Sequence, residues 1–327
     1  MIDKKPIYFN EALHKYTDEF SNEFISVTTL LGKYEEKFSD KQVDIAKACE
    51  KIGRNPRHPK FNKYKGKTWK QLLVEWKATS EKACEIGNKK HNYLETSVKD
   101  SSNFNVVFKS RYSDKGTVRL YTIEDILEEH SFGQLDLNYF IKAGVKDKYP
   151  KIYNIIEYFV NQGFRIYSEI AVFDFNFMIS GLVDILFVKD NVFYILDWKT
   201  NKNKIVFEAG YWDNDKHGSA IKYIYTDKKF KYPINHLDYS VGNKYTLQLS
   251  LYARLIELFG LQFGGLILCH ILHKAYDLNH KDVLEHPDWV GKNEVRAMNI
   301  NYYRNEVNAI LGDYSKNKNT GQMKILS

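Results

Sequence analysis

GLVDILFVKDNVFYILDWKT, residues 181–200, is the stretch that decides how this chain is read. Two apolar runs rich in Ile, Val and Phe flank Lys189-Asp190-Asn191, a set of turn formers, so the segment reads as a β-hairpin. With Asp190 at the tip, residues whose numbers sum to 380 or 381 lie opposite one another, and Asp184 faces Leu196 or Asp197. Two carboxylates 13 positions apart are thereby brought side by side at one end of a sheet. Asp197 and Lys199 are two apart on one strand and project from the same face. An unpaired charge on a buried strand is expensive, so an acid and a base closing an apolar run demand a reason.

Outward from the hairpin, YSEIAVFDF (167–175) reads as a preceding strand that carries Glu169, and GGLILCHIL (264–272) as a further buried strand. Between them YTLQLSLYARLIELFG (245–260) has helical periodicity, whereas 201–244 reads as a long irregular stretch. Residues 6–27 read as short strands broken by Asn-Glu and Ser-Asn turns. SVTTLLGKY then turns into a helix that Ser26 or Thr28 caps, or else this hydroxyl group binds a phosphate. Helices are expected over 39–52, 68–98 and 150–162, a loop or small hairpin over 100–120, and a helix with a polar tail at the C-terminus. The whole predicts one α/β domain over 1–327. It has a helical insertion at about 35–165, a sheet core at 166–272 and a C-terminal extension at 275–327.

The chain of 327 residues carries 48 Lys and Arg against 41 Asp and Glu, a formal charge of +7 that favours a polyanionic partner. Cys49, Cys84 and Cys269 stand far apart, which excludes a disulfide framework, a zinc knuckle and an iron–sulfur cluster held by this chain alone. No run reaches the roughly 18–20 apolar residues of a membrane span, and MIDKKPIYF has no apolar signal core. A soluble, intracellular protein is expected. The loop RNPRHPKFNKYKGK (54–67) holds six Lys or Arg and no acid, and suits a rim that tracks phosphates through Lys63 and Lys65, with Tyr64 or Trp69 stacking on bases.

Crowded acids on an apolar sheet repel one another, and a divalent cation relieves that repulsion. Oxygen ligands of this kind suit Mg2+ or Mn2+, which acidify water and neutralise a scissile phosphate. Lys199 beside them would orient water and stabilise the oxyanion.

Five pieces occur in order: Gly87-Asn-Lys-Lys-His91, Glu169, Gly181-Leu-Val-Asp184, Asp197-Trp-Lys199-Thr200 and Gln248-Leu-Ser-Leu-Tyr252. In this the chain resembles the PD-(D/E)XK nuclease superfamily, and within it the RecB-like branch, with FISVTTLLGKY and 231–257 similar to phage-type exonucleases and the mitochondrial genome-maintenance exonuclease. The resemblance covers about residues 8–270 and implies a restriction-endonuclease-like mixed sheet flanked by helices. It implies metal ligands at Asp184 and Asp197, support from Glu169, and Lys199 as catalytic base or water-orienting cation. His91 is either a further ligand or a group positioned over the scissile phosphate. Gln248 and Tyr252 contact DNA or hold the lysine strand, and Gly181 and Thr200 contact DNA. Trp198 is read as packing with its carbonyl near the metal, and Glu95 as solvated. The activity implied is a Mg2+-dependent deoxyribonuclease, an exonuclease on single strands or DNA ends, in the cytoplasm of a bacterium or phage-infected cell. The alternatives are a structure-specific endonuclease and a DNA-binding recombination factor with a vestigial site.

Overall fold

A computed structural model describes residues 6–10, 12–35, 41–102, 117–128, 133–214, 220–272 and 294–325. The hairpin organises it. Strand β6 (Ile179–Lys189) and β7 (Val192–Lys199) pair antiparallel with Lys189 opposite Val192 and Ile185 opposite Leu196, the 381 register. The two turn residues Asp190 and Asn191 both have positive φ, 47° and 64°, the signature of the tight turn whose twist matches its strands. Strand β5 (Arg165–Asp174) covers the other edge of β6 along nearly its whole length. Beyond β7 lies β10 (Gln262–Leu272), parallel to it, and then β11 (Glu294–Ile300), antiparallel to β10.

The N-terminal strands belong to the same sheet. β1 (Tyr8–Asn10), β2 (Lys15–Thr17) and β3 (Glu23–Ser26) form a meander with β4 (Thr117–Arg119) on β1, and β3 pairs in parallel with Ile179 and Ser180 of β6. β6 thus loses β7 at Ile185 and gains β3 at Ser180, so its edge is open around Asp184.

Helices cover both faces. On one, α1 (Val27–Leu31), α6 (Val241–Glu257) and α7 (Arg304–Ile325) bury Leu30, Leu247, Leu251, Leu255, Val307 and Ile310 against Val183, Phe193, Ile195 and Leu266. On the other, the end of α4 (Trp69–Ser101) and the helix α5 (Pro150–Asn161) bury Leu94, Val98, Ile152, Ile156 and Phe159 against Ile185, Phe187, Leu196 and Trp198. The chain is therefore an α/β protein with a mixed central sheet between helices, and among the described residues no helix is long and apolar enough to cross a membrane.

Three expectations change. The stretch 201–244 holds a separate hairpin of β8 (Gly210–Asn214) and β9 (Ala220–Tyr225). The C-terminal extension supplies an edge strand and a core helix, and residues 273–293 lie outside the described residues. The sheet also draws on residues ahead of 166. Of the expected loop at 100–120, residues 103–116 lie outside the described residues.

The 33-residue α4, about 50 Å long, begins with a capping box at Thr68 and Gln71. Lys77–Glu85 is exposed on every side, so this part of the helix stands clear of the core. Its N-terminal end packs instead on α2 (Gln42–Gly53) and α3 (Phe61–Tyr64) around Ala46, Cys49 and Leu72.

Candidate active site

The open edge of β6 is where five side chains from four elements meet. Past Ile185, the backbone pairing of β6 with β7 gives way to a side-chain bond: Trp198 N–H donates to Asp184 Oδ2 at 3.1 Å. On the other edge, Glu169 of β5 takes a φ of +56°, a left-handed conformation costing roughly 1–3 kcal/mol for a residue with a side chain. Ser168 Oγ, next to it, donates to Asp184 O at 3.1 Å. Strain of this kind persists where the surroundings over-determine it, and here it falls beside the acids.

Helix α4 brings the rest. His91 Nε2 lies 3.3 Å from Asp184 Oδ1 and 3.4 Å from Glu169 Oε1, and its Nδ1 lies 3.6 Å from Glu95 Oε2. One turn further on, Lys99 pairs with Glu95. The imidazole stands edge-on to Trp198, whose 3% exposure makes it a packing residue as expected. Gly87 explains how α4 comes so close, since a Cβ there would lie 2.8 Å from Thr200 Oγ1. Donor atoms of His91, Glu95 and Glu169 fall within 4.8 Å of one another. Glu95, read from sequence as solvated, is thus part of the cluster. Its place four residues after His91 on one helix face was the available signal.

Asp197 is 1% exposed, with Lys199 Nζ 2.9 Å from Oδ1 and 2.8 Å from Oδ2. Only the contact to Oδ1 is aligned as a hydrogen bond, and Oδ2 is buried without a directed donor. The Lys199 ammonium also lies 5.0 Å over the Tyr245 ring, and Tyr245 OH donates to Asn201 Oδ1 at 2.7 Å. His270, in register with Lys199 on β10, fixes the same turn through Nε2 at 2.8 Å from Asn201 O.

Burial dominates the electrostatics. It raises the carboxyls of Glu169, to about 8, and Asp197, to about 7, with Asp184 adding repulsion to both. Asp184 is pushed up by burial, but the hydrogen bonds from His91 and Trp198 N–H and the charges of His91 and Lys199 together outweigh this and hold it below the ordinary range. Burial disfavours the His91 cation, yet its bonds to Asp184 and Glu95 raise it to about 11. Four carboxylates that stay charge-balanced only by holding protons and borrowing cations suit a hard divalent ion, whose oxygen ligands they would supply.

A stability prediction follows from these directions. Unfolded Asp, Glu and His titrate near 3.9, 4.3 and 6.5. The folded, metal-free protein therefore holds protons that the unfolded chain has given up, on Asp197 up to about pH 7, on Glu169 up to about pH 8 and on His91 above about pH 6.5. The stability from these raised groups is fully present below their unfolded values and is lost as pH rises. Asp184, shifted the other way, acts only below these ranges. Thermal melts in EDTA should show Tm falling from pH 5 to pH 8, and Asp197→Asn should flatten that slope.

The remaining predicted residues lie around the cluster. Ser26 Oγ accepts from Thr29 N at 3.1 Å and caps α1, and it bonds the Thr28 and Thr29 hydroxyls, so capping is its role here. Gly181 and Tyr252 are both buried and form a packing pair. A Cβ on Gly181 would sit 2.4 Å from Tyr252 Cε1, so neither offers the DNA contact expected of it. Gln248 Nε2 donates to Tyr252 OH at 2.9 Å, which locks the ring over the Asp184 strand. Thr200 is half-buried under Gly87. Gly181→Ala should cost about 1–3 kcal/mol through overpacking, read as a lower Tm. In a Tyr252→Leu background the same change should cost clearly less. Lys63 and Lys65 belong to α3 and its C-terminal end, away from the acid cluster. Among family models and curated proteins, none matches this chain.

Proposed function

We propose that this protein is a Mg2+-dependent deoxyribonuclease of the PD-(D/E)XK superfamily, RecB-like branch, with a restriction-endonuclease-like core. The observation that carries the reading is the meeting of Asp184, Asp197, Lys199, Glu169 and His91, drawn from three strands and a helix, at the open edge of β6. The fold brings His91 to these strand residues across 78 to 108 positions of sequence.

Asp184 and Asp197 would hold the cation, with Glu169 and His91 completing the set and Glu95 steadying His91. When bound, Mg2+ or Mn2+ supplies charge neutralisation at a scissile phosphate and lowers the pKa of water. Lys199, aimed by Asp197 and flanked by the Tyr245 ring, donates hydrogen bonds to the attacking water and to the developing phosphorane oxygens. Trp198 N–H and Ser168 hold Asp184 in place, so the carboxylate needs no reorganisation as charge develops. The substrate in this reading is single-stranded or end-containing DNA in the cytoplasm of a bacterium or phage-infected cell.

The test pairs an end-labelled linear single strand with a covalently closed circle, each with Mg2+ or EDTA. Loss of the linear strand alone, in Mg2+ alone, supports the exonuclease. Cutting of the circle makes the protein an endonuclease with the same site. Binding of both strands with no cleavage in Mg2+ or Mn2+ rejects the enzyme.

A further inference from the structure

The positive charge of this chain is concentrated in one place. Of its 48 basic and 41 acidic residues, ten and three lie between Lys41 and Trp76, leaving 38 of each sign in all the rest. The entire excess of +7 therefore sits on 36 residues, and these are the residues of α2, α3 and the start of α4. They form a satellite with its own small core of Ala46, Cys49 and Leu72, joined to the main body by the exposed middle of α4.

Little of this charge is neutralised locally. Glu50 pairs with Arg54, and Glu75 with Lys67 at 2.6 Å. Lys51, Arg57, Lys65 and Lys70 have no carboxylate partner among the described residues. Several ammonium groups instead rest on aromatic rings: Lys47 and Lys70 lie 5.7 and 5.6 Å from the Trp69 centroid, and Lys65 lies 5.5 Å from that of Phe61. Such stacking orders the side chains while leaving their charge toward solvent. A further tie to the rest of the protein is Lys60 Nζ, which reaches Asp213 Oδ1 of β8 at 2.8 Å.

A balanced body carrying one basic, aromatic-backed lobe is the pattern of a polyanion-binding surface. We infer that the satellite 41–76 is a sequence-independent docking surface for the phosphates of a single DNA strand, separate from the catalytic cluster. From Trp69 to His91 along α4 is about 33 Å, so a strand must exceed about ten nucleotides at 3.4 Å per phosphate to engage both, fewer when extended. Binding strength then depends on length up to that span. The choice of DNA rests on the nuclease reading; the charge and its placement do not.

The experiment measures binding of a fluorescent oligothymidylate in EDTA, where hydrolysis plays no part, over a series of salt concentrations. It compares wild type with Lys51→Gln/Arg57→Gln/Lys65→Gln/Lys70→Gln and with a matched variant, Lys142→Gln/Lys146→Gln/Lys148→Gln/Lys151→Gln. With an oligomer long enough to span the satellite and the cluster, the satellite variant should bind at least about tenfold more weakly. Its slope of log affinity against log salt should be smaller by about two to three, at roughly 0.7 per lost phosphate contact on a single strand. The matched variant should bind as wild type does, and a trinucleotide should bind weakly to all three proteins. Equal losses in the two quadruple variants, or none in either, would overturn the assignment. So would equally tight binding to vesicles of equal parts phosphatidylserine and phosphatidylcholine. A protein that cuts nothing but passes this test has lost the nuclease reading and kept the docking surface.

Discussion

If the proposed nuclease reading holds, Asp197→Ala should lower kcat/KM for Mg2+-dependent hydrolysis of a single strand by roughly 10³-fold or more, beyond the 10²–10³ that loss of one electrostatic donor costs, because two functions go at once. In the proposed reading the carboxylate is one of the two ligands that the hairpin brings together, so calorimetry should show Mg2+ affinity falling at least about tenfold. It is also the partner of Lys199, whose ammonium has Asp197 oxygens at 2.8 and 2.9 Å and is otherwise desolvated. Burial alone would favour the neutral amine, and the attraction of Asp197 and Asp184 is what raises the ammonium pKa. Asp197→Asn keeps the shape and packing of the side chain. A comparable loss in that variant, with a Tm at least equal to wild type at pH 8, would assign the effect to charge and not to misfolding.

Lys199→Met separates the cation from the chemistry. Methionine matches the length of the lysine stem and packs well against the Tyr245 ring, so the turn held by Asn201 and His270 should persist. The acids are untouched, and Mg2+ should bind at least as tightly as in wild type, since a competing positive charge has been removed. Turnover should nevertheless fall about 10²–10³-fold, with KM for the strand changed by less than about threefold, the mark of an interaction made in the transition state. Lys199→Arg should not restore it, because a planar fork cannot occupy the position of a compact ammonium held between Asp197 and Tyr245. A Lys199→Met protein with wild-type turnover would remove the lysine from the mechanism.

The central hairpin was legible because its signals are local. Strong β-formers and Asp190-Asn191 in a turn that requires positive φ placed Asp184 against Leu196 or Asp197, with one register to choose. The helices of 42–53, 69–101 and 150–161 were equally plain from apolar spacing. Features that depend on what arrives from elsewhere were not. GYWDN and AIKYIY pair away from the main sheet, so no buried face imposed a clear alternation on them. EVRAMNI is a strand because β10 offers an open edge, not because of its own composition. Glu95 was read as solvated, whereas its environment is set by His91 and by Glu169 of β5, 74 residues further along the chain. For Tyr252 the choice between a DNA contact and a support for the strands waited on Gly181, which supplies the space beneath its ring. The concentration of charge in 41–76 could be counted from the sequence. Only the free-standing helix gave that count a meaning.

The most direct measurement is release of labelled nucleotide from an end-labelled linear single strand by purified protein, with Mg2+ and with EDTA, beside Asp197→Ala and Lys199→Met. The account predicts release by wild type in Mg2+ alone, and neither variant should reach a hundredth of that rate. Release that survives EDTA, or that the two substitutions leave intact, would contradict it.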